Sequence, residues 1–533
     1  MINLFNIFKP KPDTQVKSVV FDRLYSYQKD AVQTTMLNTK GIVCMPTSVG
    51  KTFCQAAIIA DDVIKNRKQF KIYVINAPRI MLSYQLLKEV YGFLVHEGIE
   101  ARYMFVHSGG KTDEKELEEV RLASKDEEGN TIPFSEIGSG TSVLGIITMM
   151  EKAKKEKLPL IFFSTYNSAS NIESARQQAG IKQSISIVLN DEAHYLVQEQ
   201  FHDILRTLPS QRCYFFTATM IQTPSDKGRG MNNEESYGKV LYMMLPIDAI
   251  LLGKMVRPRL HFVKSTNVYN TDDYNHSLNK IISDTFKQHE EVLKMNKHTV
   301  LLPKVLVSAR GTQDILTFLN SQKYRDLRAE GVDIYAVAST EAINNDINGE
   351  KVRRQDFLKR LKKDGEDKTK RLIVLHYDIL AEGIDVSGFT GIMPLRTLNK
   401  SKFLQTYGRS SRPDKEDRKR IDANEITSND LSELNKPYSY IMIPNIVHSN
   451  EDDKANMVQL ITELRTYGFK PSEDIVSSSI VRGIPEIEEP DGLNDLQRRI
   501  PNAGQIIEGL EAELEAESEA KLSKTNLLDK LFN

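Results

Sequence analysis

Two short stretches of this chain carry residue types suited to phosphate chemistry. Met45-Pro-Thr-Ser-Val-Gly-Lys-Thr52 sets a glycine, a lysine and a hydroxyl in succession, and Asp191-Glu-Ala-His194 sets two adjacent carboxylates before a histidine. In the first, successive backbone N–H groups can converge on phosphate oxygens where a loop opens a helix. Lys51 would then reach the β- and γ-phosphates, and the Thr52 hydroxyl would ligate Mg²⁺. Thr47, Ser48, Val49 and Gly50 would form the cradle. In the second, Asp191 suits the same Mg²⁺, and Glu192 is placed to polarise an attacking water. The chemistry this pair points to is hydrolysis of a nucleoside triphosphate.

Such residues need a scaffold to aim them. Gly41–Met45 reads as a buried strand, and Phe53–Ile64 as a helix with an apolar face. Ile187, Val188 and Leu189 form a second apolar strand that runs into Asn190. Asp191 then stands at a strand's carboxyl end, where open α/β sheets bind ligands. Strand-like runs separated by helical stretches recur in two series. The first is Gly41–Met45, Ile72–Ala77, Leu160–Thr165, Ile187–Leu189 and Cys213–Thr217. The second is Val305–Ala309, Ile334–Ala338, Leu372–His376, Gly391–Pro394 and Tyr438–Pro444. Strands alternating with helices predict parallel sheets, so two series predict two α/β lobes.

The boundaries read as a tail over residues 1–20, a first lobe over 21–235 and a second over 236–446. A small, mostly helical extension over 447–533 follows. A charged stretch at about 111–157 interrupts the first lobe, part loop and part helix around Val143–Lys155. The segment 223–235 reads as loop, and Tyr274–Lys294 as a helix leading into the second lobe. After about Ile446 the sheet pattern stops. Gln505–Lys521 is rich in glutamate and reads as an acidic helix or a disordered tail.

Composition narrows the class further. Of 533 residues, 40% are apolar, enough for proper cores, and the length suggests about three domains. A net charge of −1 supplies no global basic field, so any nucleic acid must be held by a local groove. The cysteines are Cys44, Cys54 and Cys213, an odd set without metal-ligand spacing; this argues against a zinc module and for a reducing compartment. No run is long enough to span a membrane. Ile2–Phe8 lacks the basic lead and cleavage site of a signal peptide. The expectation is a soluble protein of the cytoplasm, in a bacterium or a phage-infected host.

The ordered motifs resemble those of a superfamily 2 helicase or translocase of the DEAD/DEAH type, across residues 24–413. Leu24-Tyr-Ser-Tyr-Gln28 resembles the adenine-reading motif, and Met45–Thr52 motif I. Ala77-Pro-Arg79 resembles motif Ia, and Ser164-Thr-Tyr166 a later nucleic-acid motif. Asp191–His194 is a DEAH motif II, and Thr217-Ala-Thr219 motif III. Val305–Arg310 resembles motif IV, and Glu382-Gly-Ile-Asp385 motif V. Gln405-Thr-Tyr-Gly-Arg-Ser-Ser-Arg412 matches motif VI. Pro46-Thr-Ser48 and Asp248–Gly253 are similar to phage helicases of the UvsW type and to restriction-enzyme translocase subunits. Two positions depart from the pattern: Ser48-Val49 in motif I, and Ser411 in motif VI, where many relatives have glycine.

The resemblance implies two RecA-like lobes with an ATP cleft between them. It implies ATP and Mg²⁺ as cofactors and single-stranded or branched nucleic acid, DNA first, as the partner. Tyr27 and Gln28 would read adenine, and Gly383 and Asp385 would serve the nucleotide. Gln405, Arg409 and Arg412 would complete catalysis with Lys51, Asp191 and Glu192. His194, Thr217 and Thr219 would couple hydrolysis to the strand. Arg79, Thr165, Ser308 and Thr340 would lie along its phosphates. An RNA helicase, and a nucleotide-gated subunit of a restriction or defence complex, stay as alternatives. The terminal segments Asn3–Phe8 and Asn526–Phe532 would either dock on a partner protein or pack on the chain's own surface.

Overall fold

Apolar runs of four to six residues leave neither face of a strand fit for water, and here they pair into parallel sheets clad by helices. The computed structural model describes residues 19–477 apart from 109–136, 224–227, 264–273, 296–300, 339–342, 378–387, 396–399, 445–459, most of 461–473 and a few single positions. The terminal Leu/Phe segments and the acidic tail lie outside the described residues. The chain divides into two compact units. One is built on the chain up to Ala249 with Arg353–Leu358, and the other on most of the chain from Ile250.

The first unit holds β1 (Lys40–Cys44), β2 (Ile72–Ala77), β3 (Arg102–Val106), β4 (Gly138–Ser139), β5 (Leu160–Thr165), β6 (Ile185–Asn190), β7 (Ser210–Thr217) and β8 (Lys239–Met243). Their order is β4-β3-β5-β2-β6-β7-β1-β8, and every pairing is parallel. Helices α1 (Ser26–Met36), α2 (Lys51–Lys65) and α3 (Ile80–His96) belong to this unit. Tyr84 of α3 stacks on Phe105 of β3, ring centroids 3.8 Å apart. The helix Val143–Glu156 sends Ile146, Met150 and Ala153 into a cluster with Ile72, Val74 and Phe162. Gly41 lets β8 approach β1, since a Cβ there would stand 2.4 Å from Leu241 Cγ and 2.6 Å from the Lys239 carbonyl.

The second unit holds β9 (Arg257–Val263), β10 (Lys304–Ser308), β11 (Val332–Val337), β12 (Asn345–Ile347), β13 (Glu350–Lys351), β14 (Arg371–His376), β15 (Gly391–Pro394), β16 (Tyr438–Pro444) and β17 (Ile475–Ser477). The order is β13-β12-β11-β14-β10-β15-β16-β9-β17. The core β11-β14-β10-β15-β16-β9-β17 is parallel, and β12 and β13 add an antiparallel hairpin at one edge. Strand β17 corrects the expectation that sheet ends near Ile446. Its three residues are too few for a periodic signal, and only pairing with β9 makes them a strand. Strands β3, β4, β8 and β9 were likewise absent from the two predicted series.

Two fully buried histidines sit in this second core. His289, on the helix Tyr274–Met295, places Nε2 2.8 Å from the Thr390 hydroxyl. That hydroxyl donates to the Lys304 carbonyl and accepts from the Lys304 amide, so the imidazole must supply the N–H. His261 lies in β9 and is wholly enclosed. Burial pushes His261 down to about 4 and holds His289 well below the ordinary histidine range. The unfolded chain therefore binds more protons than the folded one between about pH 4 and the free-histidine value near 6.5. Stability from this pair should be full above pH ~6.5 and fall as pH drops below it. For His261 the loss should reach on the order of 3 kcal/mol by pH ~4. Urea melts at pH 7.5 and 4.5 check this, with His261→Leu expected to flatten the dependence; an unchanged slope in that variant would refute it.

Candidate nucleotide-binding site

A parallel sheet gathers its loops at one edge, and the first unit uses this to bring three motifs together. Cys44 of β1 is in register with Thr217 of β7, and Asn190 of β6 with Phe215 of β7. Past the strand ends the backbone keeps pairing: the Met45 amide donates to the Thr217 carbonyl at 3.0 Å, and the Asp191 amide to the Asn76 carbonyl at 2.8 Å. The loops 45–52, 191–194 and 217–219 therefore start from one rigid edge.

The first loop turns through Ser48 (φ 71°) and Gly50 (φ 85°), both left-handed. Ser48 thus occupies a conformation that favours glycine, so its departure from the common pattern carries backbone strain. Gly50 is constrained twice, because a Cβ there would also stand 2.3 Å from Gln28 Nε2. Helix α2 starts at Lys51, so its free N–H groups open onto the loop. Lys51 Nζ folds over the loop and donates to the carbonyls of Met45 and Pro46, each at 3.2 Å. Thr47 and Thr52 are half-buried and Val49 is buried.

Tyr27 and Gln28 grip this loop. The Tyr27 hydroxyl and Gln28 Nε2 both donate to the Val49 carbonyl at 3.0 Å, and Gln28 Oε1 accepts from the Tyr25 amide at 3.0 Å. Gln28 closes the first turn of α1 with the same contact. Its amide is thus largely committed within the chain, with one N–H left over. The geometry makes Tyr27 and Gln28 braces of the loop 45–52, beside the adenine-reading role expected of them.

Of the acidic pair at the end of β6, Asp191 is buried and Glu192 half-buried. Gln55 Nε2 donates to Asp191 Oδ1 at 2.7 Å, and the Tyr166 hydroxyl donates to the Asp191 carbonyl at 2.5 Å. Burial first, and the neighbouring Glu192 charge second, push the Asp191 carboxyl up to about 7. Glu192 is left-handed (φ 47°, ψ 49°), the tight turn that leads into Ala193–Val197. This donor set fits Mg²⁺. A hard cation takes carboxylate, hydroxyl and water oxygens, and it would relieve two crowded negative groups.

His194 links this loop to the next. Its Nδ1 lies 3.2 Å from Thr217 Oγ1 and 3.4 Å from Glu192 Oε2. Thr217 Oγ1 donates to the Thr219 carbonyl at 2.8 Å and accepts from the Thr219 amide at 3.1 Å, so Nδ1 must carry the proton toward it. Burial lowers the His194 pKa, which keeps the ring neutral near pH 7. His194, Thr217 and Thr219 thus form a hydrogen-bonded chain, with Glu192 Oε2 beside it at 3.4 Å from Nδ1.

In the second unit, Gln405 and Arg409 share one side of the helix Lys400–Ser410 at i, i+4 spacing, and Arg412 follows the helix end. Lys436, buried, donates to the carbonyls of Ser410 at 2.7 Å and Arg412 at 2.5 Å. The Val256 amide takes the Ser411 carbonyl at 2.7 Å. Burial lowers the Lys436 ammonium to about 7 and the Arg412 guanidinium to about 10, the latter helped by Arg418. Arg412 therefore stays charged at neutral pH.

The residues proposed for a strand are less uniform. Arg79 is exposed just beyond β2, and Thr165 ends β5 with its hydroxyl 3.3 Å from Ser168 Oγ. Ser308 is corrected: it is 1% exposed and its hydroxyl is bound to His376 Nε2 at 3.0 Å, a core contact that a phosphate cannot reach. Thr340, Gly383 and Asp385 lie outside the described residues. Sequence reasoning missed Gln55, Tyr166 and Lys436. Gln55 had a legible signal, a polar residue one helical turn from Lys51 among apolar neighbours. Tyr166 and Lys436 had none, because their partners are distant in the chain.

The fold and the ordered motifs resemble those of superfamily 2 helicases. Residues 22–222 match the family described as type III restriction enzyme, res subunit. No curated protein sequence matches the chain. Among solved structures it is similar to the ATP-dependent Type ISP restriction-modification enzyme LlaBIII bound to DNA, at 16% identity and a TM-score of 0.57, over 85% of this chain and 31% of that one. A nuclease-deletion mutant of the Type ISP enzyme LlaGI, in complex with a DNA substrate mimic, is similar at 16% identity and a TM-score of 0.53, over 89% of this chain and 33% of that one. The chain thus spans about a third of the length of these enzymes, and the likeness is one of fold. Among the described residues, no helix is long and apolar enough to cross a membrane.

Gly50→Ala should abolish nucleotide binding, because the loop would carry both a disfavoured φ and a clash with Gln28. Binding of a fluorescent ATP analogue checks this, and wild-type affinity in the variant would refute the loop geometry.

Proposed function

We propose that this protein is an ATP-dependent motor on nucleic acid, acting on DNA. The observation that carries the reading is the convergence of Lys51, Thr52, Asp191 and Glu192 at one sheet edge, joined through His194 to Thr217 and Thr219. A purely structural cluster gains nothing from two crowded carboxylates beside a lysine. DNA is favoured over RNA because the two similar enzymes above are described as bound to DNA or to a DNA mimic. Since the chain matches a third of those enzymes, the reading is of a motor portion, and no nuclease activity is assigned to it.

In the proposed reaction the loop N–H groups and Lys51 hold the phosphates. Lys51 would release the Met45 and Pro46 carbonyls to do so. Thr52 and Asp191 would hold Mg²⁺, which neutralises charge on the phosphates when bound. Glu192 orients the attacking water and takes its proton. Arg409 and Arg412 supply positive charge to the transferring phosphoryl group, an effect worth on the order of 10³–10⁵ in rate for such arginines. Loss of the γ-phosphate changes what Glu192 faces, and the His194–Thr217 contact passes that change to the loop ending at Thr219. Movement along a strand then follows from alternating affinity between two states. Arg79 and Thr165 are proposed contacts to strand phosphates, which position without reading sequence.

ATP turnover should rise at least several-fold with single-stranded, duplex or branched DNA, and Glu192→Gln should reduce it to background. Stimulation by RNA alone would reassign the track, and absence of stimulation by any polymer would favour a nucleotide-gated subunit. Arg412→Ala should lower kcat by about 10³-fold with little change in ATP affinity, since the arginine acts in the transition state. Equal losses of both would indicate a structural role.

A further inference from the structure

The residue Gln55 stands in the interior of α2, fully buried. Its Nε2 donates to Asp191 Oδ1 at 2.7 Å. A carboxylate only accepts, so this contact fixes which end of the amide points at it. The other end is then unmatched: Gln55 Oε1 is buried and receives no hydrogen bond within the chain. Among Phe53, Cys54, Ala56, Ala57 and Ile58, a leucine would fill the same volume without an orphan acceptor. Buried acceptors of this kind are ordinarily met by a donor that the protein does not itself supply. Beside the carboxylate assigned to Mg²⁺, the natural donor is a water carried by the cation. Mg²⁺ dehydrates reluctantly and keeps several waters, and its sites depend on partners that orient the first ligands.

We propose that Gln55 is an outer-sphere ligand of the nucleotide's Mg²⁺. Its Nε2 orients the Asp191 carboxylate, leaving Oδ2 for the cation, and its Oε1 accepts from a cation-bound water. Gln55 is a positioning residue, since it acts through Asp191 and water. The inference rests on the nucleotide reading above and assigns part of that site's Mg²⁺ affinity to a residue outside the recognised motifs.

The test is binding of a fluorescent, non-hydrolysable ATP analogue to wild type, Gln55→Leu and Gln55→Met, titrated with Mg²⁺ from an EDTA baseline. Thermal melts check that each variant folds. The Mg²⁺ concentration at half-saturation should rise about 10–100-fold in both variants, the range typical of lost outer-sphere partners. Affinity in EDTA should stay within about twofold of wild type, because Gln55 touches no assigned phosphate ligand. Two results would overturn the role while leaving the nucleotide reading intact: an unchanged Mg²⁺ dependence, or a loss of binding that is equal in EDTA and in Mg²⁺. Failure of both variants to fold would make Gln55 a core residue and overturn it too. Wild type that binds the analogue without regard to Mg²⁺ would overturn the nucleotide reading itself, and the role of Gln55 with it.

Discussion

A buried carboxylate beside a second negative charge is costly to ionise, and in the first unit Asp191 bears that cost next to the half-buried Glu192. Desolvation and the Glu192 charge both disfavour an ionised Asp191. The backbone offsets this locally. The Asp191 amide is tied to β2 through Asn76, its carbonyl to Tyr166, and its carboxylate to Gln55. None of these contacts neutralises a charge; each removes a freedom. Asp191 is fixed in place by uncharged partners, an arrangement that suits the cation role proposed for it.

The same logic runs through the loop that faces it. The Lys51 charge lowers the Asp191 pKa, yet its ammonium is occupied with carbonyls of its own loop. An ion pair between Lys51 and Asp191 would satisfy both and leave nothing for a ligand. Holding them apart keeps a positive group and a negative group available, which suits the phosphate and metal roles proposed for them. Sheet register sets this separation, since the two loops leave strands β1 and β6 with β7 between them. A one-residue slip in either pairing would move every loop contact named here.

Most strands were legible where burial wrote them as continuous apolar runs, although β3, with Tyr103–Val106 all buried, was not read as one. Ile72–Ala77, Leu160–Thr165, Gly391–Pro394 and Tyr438–Pro444 carry the bounds read from sequence. Strand β4 has two residues and β8 buries only its central Leu241, so neither shows a buried run. The phosphate-loop and acidic motifs were readable because consecutive residues carry them. The braces were not. Gln28 meets Val49, Gln55 meets Asp191 and Lys436 meets Ser410 and Arg412 across intervals that no local pattern spans. Ser308 erred in the other direction: a hydroxyl at a motif position looked available until the fold enclosed it.

Backbone strain separates functional loops from ordinary turns in this chain. Among the described residues, the non-glycine positions with positive φ are Ser48, Lys68, Lys157, Glu192, Asn348 and Asn424. Asn348 and Asn424 are asparagines, the side chain that tolerates this region best, and Lys157 caps a helix end where a left-handed residue is customary. Lys68 lies in a turn before β2. Ser48 and Glu192 have no such excuse, since glycine would fit either turn with less strain. A non-glycine residue in either turn carries a conformational cost of roughly 1–2 kcal/mol. For Glu192 the same turn leaves Oε2 at 3.4 Å from His194 Nδ1, so strain and charge meet in a single residue.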